Sequence, residues 1–273
     1  MQDTARRMVA EARRDAIEGV LRTTGSVTIR ELEARFGVSP VTARRDLIVL
    51  ERRGSVRRTH GGAVLPATLG SDGSALAGEE RSFARRLDVA PDAKRRLADE
   101  AVALLSPHET IFLDASTTSW FVAQRMIDTG LPLTVLTNNV PLMHLVLGRA
   151  GPQLELLGIG GTLRRIGGSL VGPLAVRTVE SHFADRCFIS VKGVTAGGVL
   201  TEADPLEAEV KRAMIAQSTR PTVLLERSKL SARGLSEIAR VADLSSVIAY
   251  GPAAGELEPL QAPGVELRVI AAD

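Results

Sequence analysis

Val38-Ser39-Pro40-Val41-Thr42-Ala43-Arg44-Arg45-Asp46-Leu47 reads as the start of a helix with two unlike faces. Ser39 is a good N-cap, because its hydroxyl can accept from an orphan amide of the first turn. Pro40 suits the first helical position, where no backbone donor is needed. The spacing predicts a helix to about Arg53, with Ala43, Leu47 and Leu50 inward at i, i+4 and i+7, and Gly54 closing it. Thr42, Arg44 and Arg45 fall off that stripe. Upstream, Thr28-Ile29-Arg30-Glu31 matches a capping box. It opens a shorter helix with Ile29, Leu32 and Phe36 inward, which Gly37 ends. Before it, Ala16, Ile17, Val20 and Leu21 give helical spacing over Ala10 to about Arg22, and Thr24-Gly25 stops that helix. After it, Ser55 to Arg58 and Gly62 to Leu65 read as two short strands meeting at a Gly-rich turn. Helices joined by Gly37-Val38-Ser39 make a helix-turn-helix candidate, and the hairpin makes it winged. Arginine can read guanine bidentately or clamp phosphate. Arg57, Arg58 and His60 fall on the wing, near phosphate or a minor groove. Spacing alone favours DNA contact over the alternative, a small bundle whose arginines are solvated in i,i+4 pairs.

Charge separates this segment from the rest. The chain has 273 residues and a net charge of +2, yet residues 1–60 carry +5 and the remainder −3. A basic unit on a mildly acidic body fits nucleic-acid contact. With 44% hydrophobic and 24% charged residues, the composition is that of a globular protein and excludes wholesale disorder. Charges and prolines interrupt every long apolar run, which argues against a membrane span. The first thirty residues show no apolar secretory core, so a cytoplasmic location is expected. Cys187 is the single cysteine, which excludes an internal disulfide and a Cys-based zinc site. The histidines at 60, 108, 144 and 182 lack metal-ligand spacing, and no metal or cofactor is expected.

Residues 66–78, PATLGSDGSALAG, read as flexible linker within a connecting segment 66–90. Glu79 to Arg86 is a charged stretch that could begin a helix packed on the next domain. The boundaries expected are thus 1–65 for the DNA-binding domain, 66–90 for the linker and 91–273 for an α/β domain. From Pro91 onward, short apolar strands at 110–113, 133–136, 154–157, 186–191, 222–225, 247–249 and 265–270 alternate with helices at 92–105, 119–127, 141–147, 176–183 and 204–217. That alternation predicts a mostly parallel sheet covered on both faces, with the last strand at its edge.

Ligands of such sheets bind outside the carboxyl ends of the strands. Five ends carry polar or Gly-rich segments: Asp114-Ala115-Ser116-Thr117-Thr118, Thr137-Asn138-Asn139, Gly158-Ile159-Gly160-Gly161-Thr162, Lys192-Gly193 and Glu226-Arg227-Ser228-Lys229. Hydroxyls and free amides at a helix N-terminus suit a phosphate, and Ser116 to Thr118 are equally ordinary helix caps. Gly158, Gly160 and Gly161 do not make a dinucleotide fingerprint, since Leu163 stands where a glycine is required. Together the five ends favour an anionic, polyhydroxylated small molecule. Glu202, Glu207, Glu209 and Lys211 are acid–base candidates, although Glu207 and Lys211 at i,i+4 read more simply as a helix pair. Cys187 and Trp120 read as core.

Val38-Ser39-Pro40-Val41-Thr42-Ala43-Arg44-Arg45-Asp46-Leu47, then Leu50-Glu51, Gly54 and Arg58-Thr59-His60-Gly61-Gly62-Ala63, closely resembles the N-terminal signature of DeoR-family transcriptional regulators. That family's pattern is V-S-x-x-T-I-R-R-D-L, L-E, G and R-x-H-G-G-A, and Ala43 stands where Ile is usual. Phe112-Leu113-Asp114-Ala115-Ser116-Thr117-Thr118 is similar to its F-L-D-x-G-T-T loop, with Ser116 replacing Gly. Thr137-Asn138, Gly160-Gly161, Thr201-Glu202 and Glu207-Ala208 with Lys211 continue the likeness to about Gly251. Glu226-Arg227-Ser228-Lys229 stands where the family has D-x-S-K. The resemblance implies a regulator, most often a repressor of a carbohydrate-catabolism operon. It also implies a C-terminal domain like sugar-phosphate isomerases and coenzyme A transferases that senses a phosphorylated sugar. It gives double-stranded operator DNA as a partner and a homodimer or higher homo-oligomer as the assembly. Ser39, Val41, Thr42, Arg44, Arg45, Arg57, Arg58 and His60 are then the expected DNA contacts. Asp114, Ser116, Thr117, Thr118, Asn138, Gly160, Gly161, Lys192, Glu207 and Lys229 are the expected effector contacts. Thr117, Thr118 and the lysines would meet phosphate, and Asp114, Asn138 and Glu207 hydroxyls. A sugar-phosphate isomerase-like enzyme carrying a helix-turn-helix is the alternative.

Overall fold

Local capping signals build the N-terminal unit. The structure, a computed structural model, describes residues 10–24, 26–52, 56–59, 62–64 and 82–272. The chain divides into one unit up to Ser74 and a second from Ala75. In the first, α1 (Ala10–Thr24), β1 (Ser26–Thr28), α2 (Ile29–Phe36), α3 (Pro40–Arg52), β2 (Arg57–Thr59) and β3 (Gly62–Val64) follow in order. Thr28 and Glu31 form the reciprocal capping box: the Glu31 amide donates to Thr28 Oγ1 (3.2 Å) and the Thr28 amide to Glu31 Oε2 (2.7 Å). Gly37 ends α2 at φ 61°, a left-handed geometry that favours glycine. Ser39 Oγ accepts from the Thr42 amide (3.3 Å), as a cap for α3 requires. Ile17, Leu21, Leu32, Ala43, Leu47 and Leu50 close the core, with Val27 and Ala63 from the strands and Val56 just before β2. The wing has three strands rather than two, in the order β1-β3-β2. Ser26–Thr28 was legible only as a helix entry, because three residues are too few to show an alternating pattern.

The second unit opens with α4 (Phe83–Leu87), inside the stretch read as linker. Phe83 is buried and its amide donates to Ile166 O (3.0 Å), so this short helix packs within the second unit. The linker sequence 66–78, His60 and residues 53–55 lie outside the described residues. There follow α5 (Pro91–Val102), β4 (Thr110–Leu113), α6 (Thr117–Thr129), β5 (Leu133–Thr137), α7 (Val140–Arg149) and β6 (Leu154–Gly158). Next come β7 (Thr162–Arg164), β8 (Ser169–Val171), α8 (Pro173–Glu180), β9 (Ala184–Ile189), β10 (Gly193–Val194), β11 (Val199–Glu202) and α9 (Pro205–Ala216). Last are β12 (Ser218–Glu226), β13 (Ser236–Arg240), β14 (Ser246–Tyr250) and β15 (Glu266–Ile270).

Seven of these strands form one sheet in the order β15-β14-β12-β9-β4-β5-β6, with every pairing parallel. Its central strands are apolar runs buried on both faces, and two hydrophobic cores lie against them, one holding Phe112 and the other Phe188. Cys187 is a wholly buried member of one core, and burial pushes its thiol well up. Glu266–Ile270 is the edge strand, as its position and half-exposed pattern imply. The helix read over 176–183 instead spans Pro173–Glu180, starting at its proline. The pairing of β7 with β8 and the small sheet β10-β11-β13 were not foreseen. Their strands are two to five residues long and rich in Gly, Ser, Thr and charge, so they carry no apolar run to read.

Candidate functional site

Strand order locates the crevice. From β4 the chain moves to β5 and β6 on one side, then crosses to β9, β12, β14 and β15 on the other. The reversal lies between β4 and β9, and ligands of open α/β sheets bind at such a switch point. Asp114 leaves β4 there and Ser190 leaves β9. Asp114 is almost completely buried. Its Oδ1 accepts from the Ser116 amide (3.1 Å), Ser116 Oγ (2.5 Å) and Ser119 Oγ (2.5 Å), and its Oδ2 from the Ser190 amide (3.0 Å). Lys211 Nζ, from α9, lies 3.1 Å from Asp114 Oδ2 and 2.5 Å from Glu202 Oε2, and donates to Ser190 O (2.6 Å). Burial opposes the charge on Asp114, but the Lys211 ammonium, the Ser116 and Ser119 hydroxyls and the Ser190 amide overcome it and hold the carboxyl below its usual range. Burial likewise opposes the Lys211 charge, and Glu202, Asp114 and Glu207 overcome it, so its pKa lies above the ordinary lysine value.

This corrects the simple reading of Glu207 and Lys211 as a helix pair. The Lys211 ammonium goes to Glu202 and Asp114. Glu207 turns to the β7–β8 hairpin, where its Oε1 accepts from Ser169 Oγ (2.7 Å) and Arg164 Nη1 (3.3 Å). Arg164 also donates from Nε to Asp204 (2.8 Å), the N-cap of α9. Burial raises the Glu207 pKa above 4.5, against the opposing pull of Lys211; Glu202 adds to the rise, while Ser169 and Arg164 lower it. A raised carboxyl favours the folded state below its unfolded value, and that contribution is lost as pH rises through the folded value. Glu207→Gln keeps an acceptor for Ser169 without the charge. It is therefore expected to gain melting temperature relative to the parent between pH 5 and pH 8. A parent and variant that keep a constant difference across that range would refute this.

The other predicted residues gather around the same strand ends. Ser116 caps α6, accepting from the Ser119 amide (3.0 Å), and Thr117 and Thr118 are buried in its first turn. Thr137 Oγ1 ties β5 to Leu113 O (2.6 Å), and Asn139 caps α7 through the Leu142 amide (3.1 Å). Asn138 Nδ2 donates to Leu170 O of β8 (2.9 Å). Gly161 has φ 145°, and a Cβ there would sit 2.7 Å from Val171 O, so the hairpin backbone itself requires a glycine. Lys192 is exposed and Lys229 half-buried; burial draws the Lys229 pKa down, with Glu226 opposing it and Lys192 adding to it. Ser119, Ser190, Arg164 and Ser169 escaped the sequence reading. Lys211 had one usable signal: it shares a helix face with Glu207, Ala208 and Met214, all buried.

In the first unit, Val41 is 66% exposed, and Arg44 and Arg45 are exposed beside it, opposite Ala43 and Leu47. Ser39 and Thr42 lie at the same end, their hydroxyls 3.0 Å apart. Arg57 and Arg58 belong to β2, but their side chains, like all of His60, lie outside the described residues. Asp46, the acid of the opening stretch, is buried and pairs with Arg13 (2.7 Å) and Arg14 (3.0 Å) of α1.

A winged helix-turn-helix joined to a parallel α/β unit with a polar switch point defines a DNA-binding regulator with a sensor domain. Residues 13–68 match the DeoR-like helix-turn-helix domain and residues 89–249 the DeoR C terminal sensor domain. The chain belongs to the DeoR family of transcriptional regulators. It is 31% identical over 257 residues to the HTH-type transcriptional regulator GlpR of Haloferax volcanii, covering 94% of this chain and 96% of that one. It is 29% identical over 267 residues to the HTH-type transcriptional repressor GlcR of Bacillus subtilis, covering 97% and 98%. Among solved structures, ribose 5-phosphate isomerase A from Methanocaldococcus jannaschii matches with a TM-score of 0.38 at 16% identity, over 51% of this chain and 54% of that one.

Proposed function

We propose that this chain is a cytoplasmic repressor of a carbohydrate-catabolism operon, released from or retained on its operator by a phosphorylated sugar bound in the switch-point crevice. The exposed row Val41, Arg44 and Arg45, opposite the core-forming Ala43 and Leu47, is the observation that carries it. Ser39 and Thr42 stand at the same helix end, and Arg57, Arg58 and His60 complete the DNA surface from the wing. Helix-turn-helix proteins read paired half-sites as dimers, so a homodimer or a higher homo-oligomer is the working assembly. In the crevice, Ser116, Thr117, Thr118, Lys192 and Lys229 face the anionic part of the ligand. Asn138 and Glu207 line its other side, with Gly160 and Gly161 turning the chain beside them. Asp114 organises the crevice from beneath, its oxygens already held by Ser116, Ser119, Ser190 and Lys211. An isomerase needs a carboxylate base free to face a carbon acid. The pairing of Asp114 and Glu202 with Lys211 supports sensing over turnover.

Selection of bound duplexes from a random DNA pool tests the reading, followed by competition with a panel of sugar phosphates. Arg45→Ala is expected to weaken the selected duplex by about 10- to 100-fold, the loss of one base-reading or phosphate-clamping arginine. Its melting curve should match the parent's, since Arg45 is exposed. Unchanged affinity would remove α3 from the DNA interface.

A further inference from the structure

The seven-stranded sheet ends on β15 at one side and on β6 at the other, and the two edges are unlike. β15 carries Glu266 and Arg268, paired with each other at 2.8 Å, and Arg268 lies 3.9 Å from Glu100. Edge charges of this kind keep a strand from pairing with another chain. β6 is Leu154-Glu155-Leu156-Leu157-Gly158, with Glu155 as its single charge, no proline, and an unbroken register to β5. Successive residues of a strand turn their N–H and C=O to opposite neighbours. The Gln153 carbonyl accepts from the Leu133 amide (3.1 Å) and the Ile159 amide donates to Thr137 O (2.8 Å), so the odd-numbered residues face β5. Leu154, Leu156 and Gly158 therefore turn their backbone groups outward, where no strand pairs among the described residues. Exposed leucines flank this edge on both faces. A Cβ at Gly158 would meet Met143 Cε at 3.4 Å, which sets that turn of α7 over the end of β6. α7 runs opposite to β6, because it carries the chain from the end of β5 back to the start of β6. One turn of helix and two residues of strand are each about 6 Å, so Leu147 lies level with Leu156. Leu147 is 85% exposed. On the other face a Cβ at Gly160 would meet Leu174 Cδ2 at 3.9 Å, and Leu174 is 56% exposed.

We propose that β6 is the seam between two copies of this chain, paired antiparallel about Leu156 so that the two sheets continue as one. The edge is its own complement, as a two-fold interface requires. In that register Leu156 exchanges both backbone bonds with Leu156 of the second copy, and the Gly158 amide donates to Leu154 O across the seam. The Leu154 amide is the one outward donor already used, donating to Gly151 O (3.2 Å) at the strand's start. Leu147 stands level with the axis, so the two copies of it meet over one face. Leu174 covers the other face, against the segment Gly151-Pro152 that leads into the second copy's β6. Glu155 falls opposite Leu157 of the second copy, two positions away from its own counterpart. A strand edge accepts only another strand, and recognition of paired half-sites needs two copies of the chain. The proposal thus rests on the reading of the protein as a homodimer and gives that dimer its contact surface.

Two measurements on the full chain test this. In the first, sedimentation follows self-association of the parent and four variants over a range of concentrations. Leu147→Glu and Leu174→Glu should each weaken the dimer by about tenfold or more, since each buries a charge at the seam. Phe183→Glu and Leu235→Glu are the controls: both residues are more than 80% exposed, and they precede β9 and β13, away from β6. They should associate like the parent. Circular dichroism should show all four folded, because each side chain is exposed. In the second, amide hydrogen exchange is read in the dimer and after dilution to the monomer. The Leu156 and Gly158 amides should be protected in the dimer and exchange on dilution, while the Leu157 amide, bonded to β5, stays protected in both. A dimer that tolerates both seam variants, or one in which the Leu156 amide exchanges freely, overturns the seam and leaves the homodimer standing. A parent that stays monomeric at every concentration overturns the homodimer and the seam together.

Discussion

Lys211→Met is expected to lower the melting temperature of the second unit by roughly 10 °C, the largest effect of any single change to the crevice. The ammonium is almost wholly buried between Asp114 and Glu202, with Ser190 O as its third contact. Removing one member of a buried ion pair costs about 3–5 kcal/mol, because the partner charge is left uncompensated. In a domain of about 150–250 residues each kcal/mol moves the midpoint by about 2–4 °C. Methionine keeps most of the aliphatic volume, so a cavity adds little. Calorimetry at neutral pH checks the size, and a loss below about 3 °C would mean that solvent reaches the cluster.

The pH dependence gives a second reading of the same variant. In the parent, Asp114 is held below 3.8, so its charged form is the native one. A depressed carboxyl stabilises in full above its unfolded value, and that contribution drains as pH falls through the folded value. Without the ammonium, burial governs Asp114 and raises it. The variant then binds a proton on folding where the parent does not. The gap between parent and variant should narrow from pH 7 to pH 4, and adding Glu202→Gln should recover part of the loss at pH 7.

The frame of this protein was legible because its signals are local. A cap, a proline at the first turn and an i, i+4, i+7 stripe placed α3. Thr28 with Glu31 placed α2, and apolar runs placed the seven parallel strands. The polar strand ends were legible as a set because parallel topology brings them to one edge. What each polar group does there was not. Asp114 and Glu202 lie 88 residues apart and meet only through Lys211, on a helix whose own spacing pointed it toward Glu207. Glu207 in turn belongs with Ser169 and Arg164, on a hairpin too short to register as strands. Such pairings are set by tertiary position, which periodicity does not encode.

Asp46→Ala should unfold the DNA-binding unit at 37 °C while the second unit melts where the parent's does. Asp46 stands between Arg44-Arg45 and Leu47, in a stretch that reads as DNA contact, yet its carboxylate points to α1. It is 2% exposed and accepts from Arg13 Nε at 2.7 Å and Arg14 Nε at 3.0 Å. Arg13 is itself buried, so alanine removes the carboxylate that Arg13 and Arg14 share at the interface between α1 and α3. That costs about 3–5 kcal/mol. A core the size of Ile17, Val27, Leu32, Leu47 and their five buried apolar neighbours supplies about the same in a unit below 80 residues. Calorimetry of the full chain should lose the transition belonging to the first unit, and circular dichroism should lose the helix of residues 10–52. Asp46→Asn, which keeps acceptors without the charge, should fall between. The contrast with Arg45→Ala separates folding from recognition: both variants bind DNA more weakly, and only Asp46→Ala loses the unit. If Asp46→Ala instead melts like the parent while failing to bind DNA, the carboxylate acts at the DNA and the ion pairs with α1 contribute little.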